Sequence, residues 1–387
     1  MEIESVRRQF PALSRVHDGR PVAYFDAPGG TQVPRSVAEA MTDYLFHHNA
    51  NTHWAYPTSE ETDVMIAAAR AAAARFVGAR PDEITFGANM TTLTFHLARA
   101  LGRTWKAGDE VIVTDLDHHA NIAPWRALET DRGIVVRSAR MLRETCQVDL
   151  EHLASLAGAK TRLVAIGGAS NAVGTINDLA RVRAIARAAG ALLFVDAVHL
   201  APHDRIDVQE IGCDFLALSA YKFYGPHIGI LFARQTLLES LPFPKLSPAP
   251  DTAPERAETG TQNQEGIAGV RAAVEFVESV GWPWLRERGE RFTRMLWDGL
   301  GAIRGVRLYG PPPSQPRTPT VSFIVDGLTS EAVARRLAAE GLFASHGDFY
   351  AETLIRELGV EGVVRIGCAC YTTEHEIERL LAAVAKL

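Results

Sequence analysis

Short, mainly apolar runs separated by longer amphipathic stretches leave few folds open to this chain. The runs fall at residues 83–86, 111–114, 134–137, 163–166, 192–195, 215–218 and 228–232. Helical patterns lie between many of them, at 90–101, 122–130, 149–156 and 179–189. Strand and helix in alternation predict an α/β domain on a mostly parallel sheet with helices on both faces. The runs are apolar throughout rather than alternating, the pattern of strands covered on both sides. Pro242, Pro244, Pro248, Pro250 and Pro254 then interrupt the regular pattern, because proline fits neither a helix interior nor a central strand. Beyond them come helical patterns at 264–280 and 283–303, a turn at 311–313 and a strand at 320–325. A helix at 330–341, a strand at 363–367 and a last helix from Thr373 complete what reads as a smaller α+β domain.

A length of 387 residues suits two or three domains, or one large and one small. The balance of 40 Lys+Arg against 46 Asp+Glu gives a net charge of −6, so no global field attracts nucleic acid or an anionic membrane. Four cysteines are too few for a disulfide scaffold and suit a reducing compartment. The first residues hold no apolar core of signal-peptide length, and the run at 67–74 is broken by Arg70 and too short to span a bilayer. A cytoplasmic protein with neither membrane nor nucleic-acid partner is expected.

Five polar pieces fall at predicted strand ends, where open α/β sheets bind ligands. Lys222 follows a strand within Ser219-Ala220-Tyr221-Lys222-Phe223-Tyr224-Gly225-Pro226. A partly desolvated lysine there is a usable amine nucleophile, although most lysines at loops are merely exposed. Asp196 ends another strand. It either pairs with a protonated ring nitrogen, making a pyridine an electron sink, or caps a turn. Asn89-Met90-Thr91 open a helix, where free backbone amides can cradle a phosphate or simply be capped. His118 follows a third strand and offers a flat ring to stack on a cofactor. Its pairing with His119 is no zinc motif, and Pro202 spoils a helical ligand face between His199 and His203, so no metal is expected. Asn171 sits in a polar turn after a fourth strand, able to bond a ring hydroxyl or only to shape the turn. No G-x-G-x-x-G follows the first strand, which argues against a nicotinamide enzyme.

Taken together, these segments resemble the class V aminotransferase family, and most closely its cysteine desulfurase branch, among the fold-type I pyridoxal-phosphate enzymes. The most specific are His118-His119-Ala120-Asn121-Ile122-Ala123-Pro124-Trp125, Ser170-Asn171 and Ser219 to Pro226. The resemblance implies a large domain with a mostly parallel seven-stranded sheet and a small α+β C-terminal domain. It divides the chain into an N-terminal arm at 1–20 packing on the small domain, a large domain at 21–260 and a small domain at 261–387. By the same resemblance Lys222 would carry pyridoxal 5'-phosphate, and Asp196 would pair with the ring nitrogen. His118 would stack on the ring and count with Lys222 as catalytic, while Asn171 would contact the 3-hydroxyl. The backbone of Asn89, Met90 and Thr91 would hold the phosphate with the Ser219 hydroxyl. Thr261 would reach the phosphate of the other subunit in a homodimer with shared active sites, and Arg365 would fork onto the substrate carboxylate.

Departures from the family lie on the substrate side. The small-domain loop at 343–351 carries the desulfurase cysteine in that family. Here it contains none, and Phe349 stands about where the thiol would be. Cys146, Cys213, Cys368 and Cys370 all lie elsewhere; Cys368 and Cys370 read as apolar fillers alternating along a strand. His199 replaces the family's glutamine near the ring 3-hydroxyl, Tyr221 replaces the histidine before the lysine, and the small-domain arginine is replaced near Ala344. The expectation is an enzyme acting on an amino acid through an external aldimine and α-proton abstraction, without a persulfide. Carbon–sulfur β-elimination or amino transfer is the expected outcome; epimerisation and a non-catalytic cofactor-binding scaffold are the alternatives. Tyr221, His199, His346 and Tyr350 are the candidates for a second acid.

Overall fold

The computed structural model describes residues 1–387. Each of the seven apolar runs forms a strand of one sheet: β1 (Ile84–Gly87), β2 (Glu110–Thr114), β3 (Val135–Ala139), β4 (Thr161–Gly167), β5 (Leu192–Asp196), β6 (Phe215–Ser219) and β7 (Gly229–Ala233). Their order is β1-β7-β6-β5-β4-β2-β3. β7 is antiparallel to both neighbours, and every other pairing is parallel.

The apolar runs follow from two cores. Successive side chains of a strand point to opposite faces, so Phe194, Phe215 and Ala217 join one buried cluster while Val195, Leu216 and Leu218 join another. Both faces are covered, so polar residues are few and gather toward the strand ends, as Glu110, Asp196 and Ser219 do. β3 departs from the expectation. At the edge of the sheet its residues alternate between exposed and half-buried before Ala139, and Val135 is exposed.

A second sheet holds β8 (Val306–Tyr309), β9 (Thr320–Val325), β10 (Ser345–Gly347) and β11 (Val363–Gly367), in the antiparallel order β8-β9-β11-β10. Its core joins Phe323 and Ile366 to Phe292 and Leu380 from the flanking helices. The sequence reading missed β8 and β10, which carry little apolar signal. It also missed the helix Pro57–Val77 around the alanine-rich run at 67–74. Arg70 is buried within that helix, 2.8 Å from Glu258 and bonded to the Ile84 carbonyl at 2.6 Å.

The cores do not divide at residue 261. Helix Gln264–Val280 places Ile267, Val270, Val274 and Val277 in the core of the large sheet. Ala23 and Phe25 lie instead in the core of the small sheet, where Ala23–Tyr24 pairs in parallel with Leu342–Phe343. The prolines at 242–254 mark an irregular connection rather than a boundary. In the N-terminal arm, Arg7 pairs with Glu376 of the last helix at 3.0 Å, while Val6 and Phe10 pack into the large core. The arm thus bridges both units. No helix is long and apolar enough to cross a membrane.

Candidate active site

The carboxyl ends of β4, β5 and β6 meet the segments after β1 and β2 around one cavity. Lys222, Asp196, His118, Asn171, His199, Ser219, Met90 and Thr91 all line it, as do Asp117 and Tyr221. Eight of the residues expected from the sequence are therefore brought together by one sheet edge.

Lys222 is buried. Its Nζ donates to the Pro28 carbonyl and to the Gly29 carbonyl at 3.0 Å. Burial and, next, the positive charge of Arg365 lower its pKa to about 8. Asp196 accepts the Val198 amide at 3.0 Å, and burial raises its pKa to about 6. Asp117 is pushed up to about 7, mainly by burial, although it accepts the Gly167 amide at 2.9 Å and Asn121 Nδ2 at 3.0 Å. The His118 Nδ1 accepts the Ala120 amide at 2.9 Å, and burial with the Lys222 charge lowers its pKa to about 4. A bare Nδ1 and a neutral ring leave His118 a flat surface on one wall.

The helix Met90–Gly102 starts at this wall, capped by Asn89, whose side chain accepts the Thr92 amide at 2.9 Å. Of the three amides expected at a phosphate, that of Asn89 donates to Thr92 Oγ1 at 3.3 Å and that of Met90 to Ser219 Oγ at 2.9 Å. The Thr91 amide has no acceptor in the chain. Gly229 lets this helix start lie close to the sheet: a Cβ there would fall 2.4 Å from the Asn89 carbonyl carbon.

Three expected residues do not line the cavity: Asn89, which caps the helix beside it, Thr261 and Arg365. Thr261 is exposed and lines a separate hollow with Gly87, Ala88 and Thr92. Arg365 is buried behind Asn171, with all three nitrogens engaged: Nε to Ser345 Oγ at 3.2 Å, Nη1 to the Asn171 carbonyl at 3.0 Å and Nη2 to Asp26 Oδ1 at 3.1 Å. The Phe349 ring covers the guanidinium at 3.9 Å. Phe349 and Tyr350 both adopt left-handed backbone angles, φ 56° and 57°, and the Phe349 carbonyl accepts Asn171 Nδ2 at 3.0 Å. His346 and Tyr350 are exposed and line no part of the cavity. The sequence reading also passed over Asp26, Pro28, Gly29 and Asp117. Only the acidic Asp117, beside His118 and just past a strand, carried a signal that could have found it.

The donor set fits pyridoxal phosphate. Asn171 Oδ1 is buried without a partner, as befits a group awaiting a ring hydroxyl. The free Thr91 amide suits a phosphate oxygen at a helix start. Asp196 supplies a buried carboxylate and Lys222 a buried amine in the same cavity.

Comparison with known proteins agrees. The family model for aminotransferase class-V matches residues 23–380. A probable cysteine desulfurase of Xylella fastidiosa is 33% identical over 404 residues, covering 99% of this chain and 95% of the relative. A cysteine desulfurase of Pectobacterium carotovorum is 32% identical, covering 100% and 98%. Among solved structures, the apo cysteine desulfurase of Thermococcus onnurineus superposes with a TM-score of 0.94 at 29% identity, over 100% of this chain and 98% of that one. Cavity and kinship together place the chain in the aminotransferase class-V family, as a pyridoxal-phosphate-dependent enzyme of fold-type I.

Proposed function

We propose that this chain is a cytoplasmic homodimer that removes the α-proton of an amino acid and proceeds to carbon–sulfur elimination or amino transfer, without forming a persulfide. The observation that carries the reading is the loop after β10. Phe349, not a thiol, lies there over Arg365. A protein persulfide needs a cysteine thiolate to take the sulfur, and the four cysteines are all buried. Burial pushes the thiols of Cys213 and Cys370 up to about 12 and those of Cys146 and Cys368 upward as well. The relatives named cysteine desulfurases suggest cysteine as one substrate to test.

When bound, pyridoxal phosphate supplies an electron sink for charge developing at the substrate α-carbon. Asp196, Asn171, Ser219 and the Thr91 amide would hold it, with His118 against its face. Lys222, lowered to about 8, is partly neutral near physiological pH and can take the α-proton at Nζ. Arg365 would receive the substrate carboxylate by exchanging its contact with Asp26. Tyr221, stacked on His227 at 4.8 Å and lining the cavity, is the candidate second acid. Dimerisation is supported by the exposed apolar side chains of Leu45, Phe46, Trp54, Tyr56 and Val64, and by Thr261 lying outside its own cavity.

The test is an amino-acid panel scored for ketoacid, sulfide and enantiomer release, run beside intact-mass measurement after incubation with cysteine without reductant. Ketoacid or sulfide without added sulfur on the chain is expected. Sulfur gained on a cysteine as fast as alanine forms would refute the reading.

A further inference from the structure

His199 lines the Lys222 cavity, yet its Nε2 is bonded outside it, to the small domain. Nε2 lies 3.0 Å from Thr318 Oγ1 and 3.1 Å from Thr320 Oγ1. Neither threonine lines the cavity. The Thr318 hydroxyl donates to the Gly174 carbonyl at 3.4 Å. A carbonyl has no hydrogen to give, so the Thr318 oxygen turns a lone pair to the imidazole. A ring hydrogen on Nε2 would be donated to that lone pair and to the Thr320 oxygen. The ring is neutral: burial, reinforced by His203, Arg365 and Lys222, lowers its pKa well below the ordinary value. In a neutral imidazole the second nitrogen is a bare acceptor. No group of the chain bonds Nδ1, and the ring borders the space that Asn171 and Asp196 also face.

We propose that His199 is a positioning residue, held in the Nε2–H tautomer by Thr318 and Thr320 across the domain junction so that a bare Nδ1 acceptor faces the bound cofactor. An acceptor at this place favours the protonated form of the cofactor's ring hydroxyl, whereas a side-chain amide N–H would favour the ionised form. The same stretch seats the small domain. The Thr318 amide donates to the Gly174 carbonyl at 2.8 Å, Ser322 Oγ donates to the Ala172 carbonyl at 2.5 Å, and Arg365 holds the Asn171 carbonyl at 3.0 Å. The hydrogen bonding offered to the cofactor is therefore set by how strand β9 docks on the turn that carries Asn171.

The inference rests on pyridoxal phosphate occupying the Lys222 cavity, which borohydride reduction and peptide mapping report separately. The primary test is nitrogen-15 NMR of labelled histidine in the cofactor-free and loaded protein, with His199→Gln assigning the His199 signals. A neutral Nε2–H ring in both states, with the Nδ1 signal shifting on loading, is expected. An Nδ1–H tautomer or an imidazolium at neutral pH overturns the inference while leaving cofactor on Lys222 intact; a chain carrying no cofactor on Lys222 overturns both. A second test uses Thr318→Val with Thr320→Val. Loss of about one hydrogen bond's worth of fixing should weaken cofactor binding about five-fold and change the visible spectrum of the bound cofactor. Thr320→Ser alone should preserve both. An unchanged spectrum and affinity in a folded double variant overturns the proposal, and the NMR of the unmodified chain decides it if that variant does not fold.

Discussion

Asp196→Asn should make the cofactor-free protein more stable above pH 6 while disabling the loaded enzyme. Asp196 is buried, and its pKa rises from 3.8 to about 6. Below pH 3.8 the carboxyl is neutral in folded and unfolded chains alike, so its burial carries no charge cost. Between 3.8 and the folded value the unfolded chain ionises in water while the folded carboxyl, in a poor solvent, still holds its proton, so stability is lost up to about pH 6. Two pKa units correspond to about 3 kcal/mol above pH 6. Asparagine keeps an oxygen for the Val198 amide and carries no charge, so the variant recovers this amount. It also relieves Asp117, whose raised pKa is due in part to Asp196. An unfolding entropy of about 2.1 cal/mol/K per residue converts 3 kcal/mol into a rise in Tm of about 4 °C for a chain unfolding as one unit. The assay is thermal melting of cofactor-free parent and variant from pH 4 to pH 8. The gap should open between about pH 4 and pH 6 and then stay constant. In the loaded enzyme asparagine cannot keep the ring nitrogen protonated, and turnover should fall roughly a hundredfold or more. A variant equally stable or less stable at pH 8, or a gap independent of pH, would show that the buried charge costs nothing and that Asp196 is a structural acid.

Lys222→Ala should retain weak cofactor binding through the phosphate wall, lose the borohydride-reducible linkage and slow turnover at least about a thousandfold, read by absorbance and rate. Gly229→Ala drives a Cβ against the Asn89 backbone; it should cost about 1–3 kcal/mol in denaturant unfolding and weaken cofactor binding by displacing the helix start. Phe349→Ala removes the ring over Arg365 and should cost about 1 kcal/mol of stability. It should also raise kcat/KM for small amino acids relative to large apolar ones, and an unchanged preference would remove Phe349 from the substrate pocket. Mixing Lys222→Ala with Thr261→Ala chains should regain activity in the heterodimer, and no gain over either parent would exclude shared sites.

The central sheet was legible because its strands are buried on both faces, which forces apolar residues through the middle of β2, β6 and β7 and leaves polar ones to their ends. The same rule explains the failures. β8 and β10 are partly exposed, so composition does not mark them. The site was legible where chemistry coincides with strand ends: Lys222, Asp196, Asn171, Ser219 and the helix start at Met90 are all placed by their own strands. Phe349 too was visible from sequence as a residue standing in a loop that lacks cysteine. What sequence could not supply were partners far apart in the chain. Asp26 meets Arg365, and the Pro28 and Gly29 carbonyls hold Lys222, across about half the chain or more. Thr318 and Thr320 lie within bonding distance of His199 Nε2 from more than a hundred residues away. A strand end fixes where a side chain begins, because backbone geometry is local. Which hydrogen-bond partner completes it depends on how two separately folded layers dock, and only the tertiary structure decides that.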